Sequence, residues 1–234
     1  MNLFHDLNVC VPPHARHSAL HALAQLNFRL IAFNTVIPPS VEKLTQQHLP
    51  PPTPSHPSLT ILNRITLTLH SPTQLQMLTS SILSSYHIIA VCPTSEKMLH
   101  HALQADIDII TTANQPRPPH IKRAHLHVAL DKAIFFEISY APALSDTPTR
   151  RTIIANASAL AAAVPRQLLL SSAAANPIHL RGPHDVVNLA ILFGVPHEYA
   201  HKALTSNAAA VLQHAHFRNN YHKGIVRITT NEQS

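Results

Sequence analysis

The run from Arg166 to Gly194, RQLLLSSAAANPIHLRGPHDVVNLAILFG, gathers the groups that an anion site needs. A short aliphatic strand, Gln167 to Leu170, ends in Ser171 and Ser172. After a turn at Asn176-Pro177, Arg181 and Gly182 lead into a helix with Pro183 first and Asp185 third. That order suits a helix start, where free N–H groups and the positive dipole end favour an acid. Val186, Leu189, Ala190 and Phe193 repeat at helical spacing, and Gly194 closes the segment. A strand end, an arginine and a helix N-terminus in one place can hold a phosphate. The competing reading pairs Arg181 with Asp185 or with a core carboxylate.

A second constellation is His197-Glu198-Tyr199-Ala200-His201, which matches the H-E-x-x-H pattern of zinc protease helices. With 20 histidines in 234 residues, about 1.7 pairs at a given spacing arise by chance. The chain has two such i,i+4 pairs, His17/His21 and His197/His201, so the spacing carries no information. Pro196 also puts His197 in the first helical turn, and no clear third ligand follows.

The cations are unevenly placed. Residues 1–116 hold five Lys/Arg and five Asp/Glu, whereas residues 117–234 hold twelve and six, so the net +6 lies in the second half. A basic half on a neutral domain points to a nucleic-acid face. The doublets Lys122-Arg123 and Arg150-Arg151 fall in loops or at helix starts, from which side chains reach a phosphate backbone. Aromatic residues make up 5% and tryptophan is absent, so folded-RNA shape is a better target than stacked single strands. The RNA-contacting candidates are Arg64, Lys122, Arg123, Arg150, Arg151, Arg181 and Lys223.

These residues need elements to position them. Leu3 to Val9 reads as a strand, Ala15 to Asn27 as a helix with Leu20, Leu23, Ala24 and Leu26 on one face, and Arg29 to Phe33 as a strand. Val36 to Ser58 reads as a loop with one helical patch, VEKL, and an exposed proline-rich stretch over 49–58. Strand Asn63 to Leu69, helix Pro72 to Ser84, strand His87 to Cys92, a helix capped by Thr94 and ending at Gln104, and strand Ile107 to Thr111 follow. His125 to Leu130 and Ala133 to Tyr140 read as strands, Thr147 to Val164 as a helix. After the Arg166–Gly194 run come helices Pro196 to Leu204 and Ala208 to Phe217. The alternation predicts parallel strands covered by helices. Some seven strand–helix units favour a closed or nearly closed barrel, although the pattern alone does not separate barrel from open sheet. The expected domain is residues 1–218, with a basic tail at 219–234.

Composition narrows the function classes. Hydrophobic content of 45% supports one sizeable core, and charged residues at 12% suit a domain that lives inside an assembly. Two cysteines, Cys10 and Cys92, are too few for a disulfide framework. No signal peptide and no membrane-length apolar run is evident, which predicts a reducing compartment. Only Gly182, Gly194 and Gly224 occur, which excludes a P-loop or a Gly-rich dinucleotide turn.

Five runs, in order, carry a resemblance: FHDLNV at Phe4 to Val9, NRITLTL at Asn63 to Leu69, VCPTSEKMLHHA at Val91 to Ala102, DKAIFFEISYAPA-x-x-D at Asp131 to Asp146, and SSAA followed by RGP-x-DV-x-NL-x-x-LFG. Together they resemble the roughly thirty-kilodalton protein subunit shared by nuclear ribonuclease P and ribonuclease MRP, with archaeal relatives. The resemblance implies a single-domain α/β fold of the TIM-barrel-like, distorted β/α barrel type. It implies a non-catalytic, RNA-binding protein subunit that supports 5′ maturation of precursor tRNA by the RNA component, and rRNA processing. Its partners would be the ribonuclease P/MRP RNA and other protein subunits, especially a small α/β one, with precursor tRNA met indirectly. The site would be the nucleus, including the nucleolus.

The family is distantly similar to metal-dependent phosphoesterases of the polymerase-and-histidinol-phosphatase type, which open with D-L-H-x-H. Here that place reads Asp6-Leu7-Asn8-Val9-Cys10, and the late strand ends in Ser171-Ser172 where an Asp-x-His pair would stand. Glu137 remains, and one carboxylate cannot hold a catalytic ion. The expectation is a barrel mouth whose polar residues Asp6, Asn8, Asn34, Glu137, Ser171 and Ser172 form an internal hydrogen-bond network, with no catalytic residue, metal or cofactor. The alternative is a free-standing metal-dependent phosphoesterase of that type.

Overall fold

The structure is a computed structural model that describes residues 3–112, 114–222, 225 and 226. Seven strands form one parallel sheet in sequence order: β1 (Phe4–Val9), β2 (Phe28–Ile37), β3 (Thr60–Leu69), β4 (Ile88–Pro93), β5 (Ile109–Thr111), β6 (Phe135–Ser139) and β7 (Leu168–Ser171). The sheet curls into a nearly closed barrel. Between β7 and β1 the ladder is replaced by a bridge of Val9 to Ala174 and by Ala173 N–H to the Asn8 carbonyl at 2.7 Å.

Among the described residues seven α-helices accompany the strands: α1 (Arg16–Gln25), α2 (Glu96–Gln104), α3 (Arg123–Asp131), α4 (Thr147–Ala163), α5 (Pro183–Leu192), α6 (His197–Leu204) and α7 (Ser206–Asn220). Their starts are chemically marked. The Asp146 carboxylate accepts from Thr149 N–H at 2.8 Å to cap α4. Pro183 takes the first position of α5, and Gly194 just beyond it adopts φ +90°, where a Cβ would also meet Ser158 Oγ at 2.9 Å. None of the helices among the described residues is long and apolar enough to cross a membrane.

The core has two layers. Most buried side chains lie in a cluster that joins the strands to the surrounding helices. A second, inner cluster joins Leu7, Ala32, Ile88, Ala90, Ile109 and Leu169 to Ala208, Val211 and Ala215 of α7. Ile88 and Ile109 are the first residues of their strands, so α7 closes the N-terminal end of the barrel. Asp108 fastens it there. Its carboxylate is fully buried, accepts Ile89 N–H at 2.7 Å, and takes Arg218 Nη2 at 2.9 Å and His214 Nδ1 at 2.7 Å from α7.

Several expected elements differ. Residues 125–130, expected as a strand, form most of helix α3, which buries His125 and Ala129 one turn apart and leaves Leu130 on the surface. The expected helix over Pro72 to Ser84 is two tight 3-10 segments, Pro72–Thr79 and Ser81–Ser85, separated at Ser80 by extended backbone. The VEKL patch is irregular, and the short turn falls instead at Gln46–His48. Ser95, not Thr94, caps α2, because the Thr94 hydroxyl bonds back to the Leu69 carbonyl at 3.1 Å. Helix α7 runs through the expected boundary at 219 and is followed by a small antiparallel pair, β8 (Tyr221–His222) with β9 (Ile225–Val226).

Candidate functional site

At the C-terminal end of the barrel the inward side chains are polar, and a buried ion pair anchors them. Arg64 of β3 and Glu137 of β6 meet across the interior, both with 0% side-chain exposure. Arg64 Nη1 lies 2.5 Å from Oε1 of Glu137 and Nη2 lies 2.7 Å from Oε2. The remaining donors are also used: Nη1 reaches the Leu7 carbonyl at 3.0 Å and Nε reaches Thr66 Oγ1 at 3.2 Å. A two-fold fork of this kind offsets much of the desolvation cost that a lone buried charge would carry.

A register irregularity in β1 between Asp6 and Val9 places Asn8 at the centre of the network. Its Nδ2 donates to Glu137 Oε2 at 3.2 Å and Ser139 Oγ at 3.4 Å. Its Oδ1 accepts from Asn34 Nδ2 at 2.8 Å and from the Cys10 thiol at 3.2 Å. Thr66 donates to Asn34 Oδ1 at 3.0 Å, and Ser139 and Ser171 share a bond of 3.1 Å. Ser172 Oγ donates to the Asn8 carbonyl at 3.0 Å. Asp6 Oδ1 accepts the N–H groups of Asn8 and Ser172, each at 3.1 Å, while its Oδ2 is buried without a partner. Asp6, Asn8, Asn34, Glu137, Ser171 and Ser172 are thus brought together. Thr66 and Ser139, not anticipated, complete the links; each lies two residues beyond Arg64 or Glu137, on the same strand face.

Burial dominates the electrostatics. It raises the Asp6 carboxyl to about 6, with the Glu137 charge adding to the effect and hydrogen bonding from Ser172 and Asn8 opposing it. Burial also pushes the Cys10 and Cys92 thiols up to about 11, so neither is a thiolate at neutral pH. Both Glu137 oxygens accept hydrogen bonds from Arg64, and Oε2 accepts one from Asn8 as well. Among the described residues no three His, Cys, Asp or Glu side chains converge as a set able to hold a metal ion. His197 and His201 on α6 stand apart, with the His201 ring edge-on to Phe4 at 5.6 Å.

The cations fall into different classes. Arg64, expected on the RNA face, is a correction: it has no exposed surface and its guanidinium is saturated inside the barrel. Lys122 is exposed and ion-paired with Glu96, and Arg123 is exposed at the first position of α3. Arg150 and Arg151 are exposed in the first turns of α4, and Arg150 Nε donates to the Ala143 carbonyl at 2.9 Å. Arg181 is half-buried, with Nη1 donating to the Ile178 and Leu180 carbonyls at 2.7 and 2.9 Å. It makes no ion pair with Asp185 or another described carboxylate, and its backbone N–H goes to Tyr140 Oη at 3.0 Å. Lys223 lies outside the described residues. Arg16, which no motif singled out, is buried at the start of α1 over the Phe33 ring.

Comparisons with known proteins agree with this architecture. The family model described as RNase P subunit p30 matches residues 3–220. A mouse protein named ribonuclease P protein subunit p30 is 36% identical over 163 residues, 68% of this chain and 61% of that protein, so the match spans about three fifths of the relative. A Schizosaccharomyces pombe protein named probable ribonuclease P protein subunit 3 is 27% identical across 96% of this chain and 98% of its own length. Among solved structures, a chain of archaeal ribonuclease P with mature tRNA superposes with a TM-score of 0.71 at 16% identity, over 98% of this chain and all of that one.

Proposed function

The chain belongs to the RNase P subunit p30 family, and from that membership we propose that it is a non-catalytic, RNA-binding protein subunit of ribonuclease P and of ribonuclease MRP. In this reading the RNA component performs 5′ maturation of precursor tRNA, and this chain scaffolds it. Ribonuclease MRP extends the role to rRNA processing. The partners are the particle's RNA and its other protein subunits, a small α/β subunit among them, with precursor tRNA met through the assembly. The place of action is the nucleus, including the nucleolus.

The family match over residues 3–220 is the observation that carries this reading. The barrel mouth supports it chemically. A phosphoesterase at this position would need free carboxylate oxygens and imidazoles to clamp a metal and activate water. Instead, Glu137 is engaged by Arg64 on both oxygens, the Asn8 amide is committed to Glu137, Ser139, Asn34 and Cys10, and Ser172 Oγ donates to the Asn8 carbonyl. The exposed doublets Lys122-Arg123 and Arg150-Arg151 supply the surface cations that backbone recognition of RNA uses.

Affinity purification of the tagged chain tests the proposal. A structured RNA and precursor-tRNA cleavage activity are expected in the eluate, and cleavage should vanish on nuclease removal of that RNA. Purification without RNA, together with phosphoester turnover by the purified chain in manganese or zinc, would overturn it.

A further inference from the structure

Strands β4, β5 and β6 are neighbours in the sheet, and α2, α3 and α4 follow them in turn. A helix that follows a parallel strand starts at that strand's C-terminal end, so the three starts share one arc of the barrel's C-terminal rim. Side-chain contacts join them there. Lys122 at the start of α3 is ion-paired with Glu96 at the start of α2. Asn156 of α4 donates through Nδ2 to the Gln115 carbonyl at 2.7 Å, in the loop before α3, and Gln115 Nε2 donates to the Pro93 carbonyl at 2.8 Å. Six cations stand exposed on this arc: Lys97, Arg117, Lys122, Arg123, Arg150 and Arg151. Among the described residues its acids are Glu96 and Asp146, and both are engaged. Glu96 pairs with Lys122, while Asp146 accepts the N–H and the hydroxyl of Thr149.

The opposite ends of the same three helices are balanced. Asp106 follows α2, Asp131 and Lys132 close α3, and Arg166 follows α4, so two acids meet two cations. The rim cations are also placed against helix stability. A helix dipole favours acids in the first turn and cations in the last. Yet α3 opens on Lys122 and Arg123, and α4 carries Arg150 and Arg151 in its first turns. Neither helix has an acid in its first turn or a basic residue in its last. A charge placed where the fold gains nothing from it points to an anion outside the fold. Among the described residues Lys97, Arg117, Arg123 and Arg151 enter no ion pair. The support is stiff as well, because Pro116, Pro118 and Pro119 fix φ on both sides of Arg117.

We propose that the α2–α4 arc of the C-terminal rim is the face that lies along the backbone of a base-paired stem of folded RNA. The inference rests on the reading of this chain as an RNA-binding subunit. It assigns the face, adds Lys97 and Arg117 to it, and leaves the α7 end of the barrel out. Packed helices stand about 8–10 Å apart, so three adjacent starts extend about 16–20 Å, enough for several phosphates of one strand. The contacts are side-chain charges on phosphates, which supply affinity and position without reading sequence. A stem is favoured over a single strand because no Phe or Tyr between residues 94 and 151 is exposed to stack an unpaired base. RNA is favoured over a protein partner because charged residues are depleted at the core of protein interfaces, whereas this arc is built of them.

The test uses the full chain and its own ribonuclease P RNA, with affinity measured over a salt series and backbone protection mapped by hydroxyl radicals. A rim variant combines Lys97→Gln, Arg117→Gln and Arg123→Gln. A control removes the same charge from the N-terminal end with Arg29→Gln, Lys132→Gln and Arg166→Gln. The rim variant is expected to bind about ten-fold or more weakly at low salt, with the slope of log affinity against log salt smaller by about 2–3. The control should keep the wild-type slope, and the protections lost in the rim variant should fall on paired nucleotides. An unchanged slope in the rim variant, or an equal loss in both variants, overturns the face. Protections lost only from unpaired nucleotides overturn the stem. Should the rim variant not fold, Arg117→Gln alone decides, because Arg117 lies in a loop: a slope smaller by about 0.7–0.9 supports the face and an unchanged one overturns it. Unchanged RNA binding with loss of a co-purifying protein subunit gives the arc to a protein and also overturns it. A wild-type chain that binds no RNA defeats the broader reading together with the face, an outcome distinct from failure of the face alone.

Discussion

Asp6 and Glu137 are two carboxylates within one network that solve burial in opposite ways. Asp6 has two N–H donors on one oxygen and none on the other, and burial raises it to about 6. A folded-state value above the unfolded one means that the folded state holds the proton more tightly. Stability from this group is therefore full below about pH 4 and is lost as pH rises through about 6, by about 3 kcal/mol in all. Asp6→Asn removes that loss, so the stability difference between variant and wild type should widen in the variant's favour from pH 4 to pH 7. A difference constant with pH would remove Asp6 as the cause. Glu137, in contrast, is answered fully by Arg64. Glu137→Gln leaves that guanidinium buried without its counter-charge and should cost about 3–5 kcal/mol in urea denaturation. The double variant Arg64→Met with Glu137→Leu should recover most of it. A double variant no more stable than the single one would show that the pair is not what the mutation breaks.

The helices and strands were legible where pattern and chemistry coincide, and less so where two readings share one pattern. The strands from Phe4 to Thr111 and helix α5, with Pro183 at its start and Gly194 beyond its end, needed only periodicity and end signals. Helix α3 did not yield to them: His-Leu-His-Val alternates like a strand, and His125 is buried beside α2, whose His100 ring lies 6.3 Å away. Arg64 shows the same limit within a strand. Alternation puts it on one face of β3, but which face is inside the barrel depends on Glu137, distant in sequence. At α4 local chemistry suffices, because Asp146 fixes the start and leaves Arg150 and Arg151 exposed in the first turns. Replacing both by Ala should weaken RNA binding and flatten its salt dependence, each phosphate contact carrying about 0.7–0.9 of slope. Arg151 should account for the larger share, since Arg150 is tethered to the Ala143 carbonyl. Unchanged slope and affinity would take the doublet off the RNA face.

As a whole, the molecule is a barrel closed at its N-terminal end by helix α7. The inner apolar cluster is complete only when α7 supplies Ala208, Val211 and Ala215, and Asp108 ties Arg218 and His214 of that helix down. Arg218→Ala should therefore unlatch α7 at a cost of about 3 kcal/mol, near the low end for a broken buried pair because His214 and Ile89 N–H still serve Asp108. Hydrogen exchange should locate the loss in α7 and at the strand starts before the rest of the barrel; uniform exchange across the chain would count against a latch. At the opposite end the barrel's interior charge is supplied by Arg64. A cation attached by covalent bonds has no dissociation constant. Its occupancy is one in every copy of the chain, whatever the ion concentration, and a chelator cannot remove it. The charge balance of this interior is thus set at translation, independent of the ion supply where the chain folds.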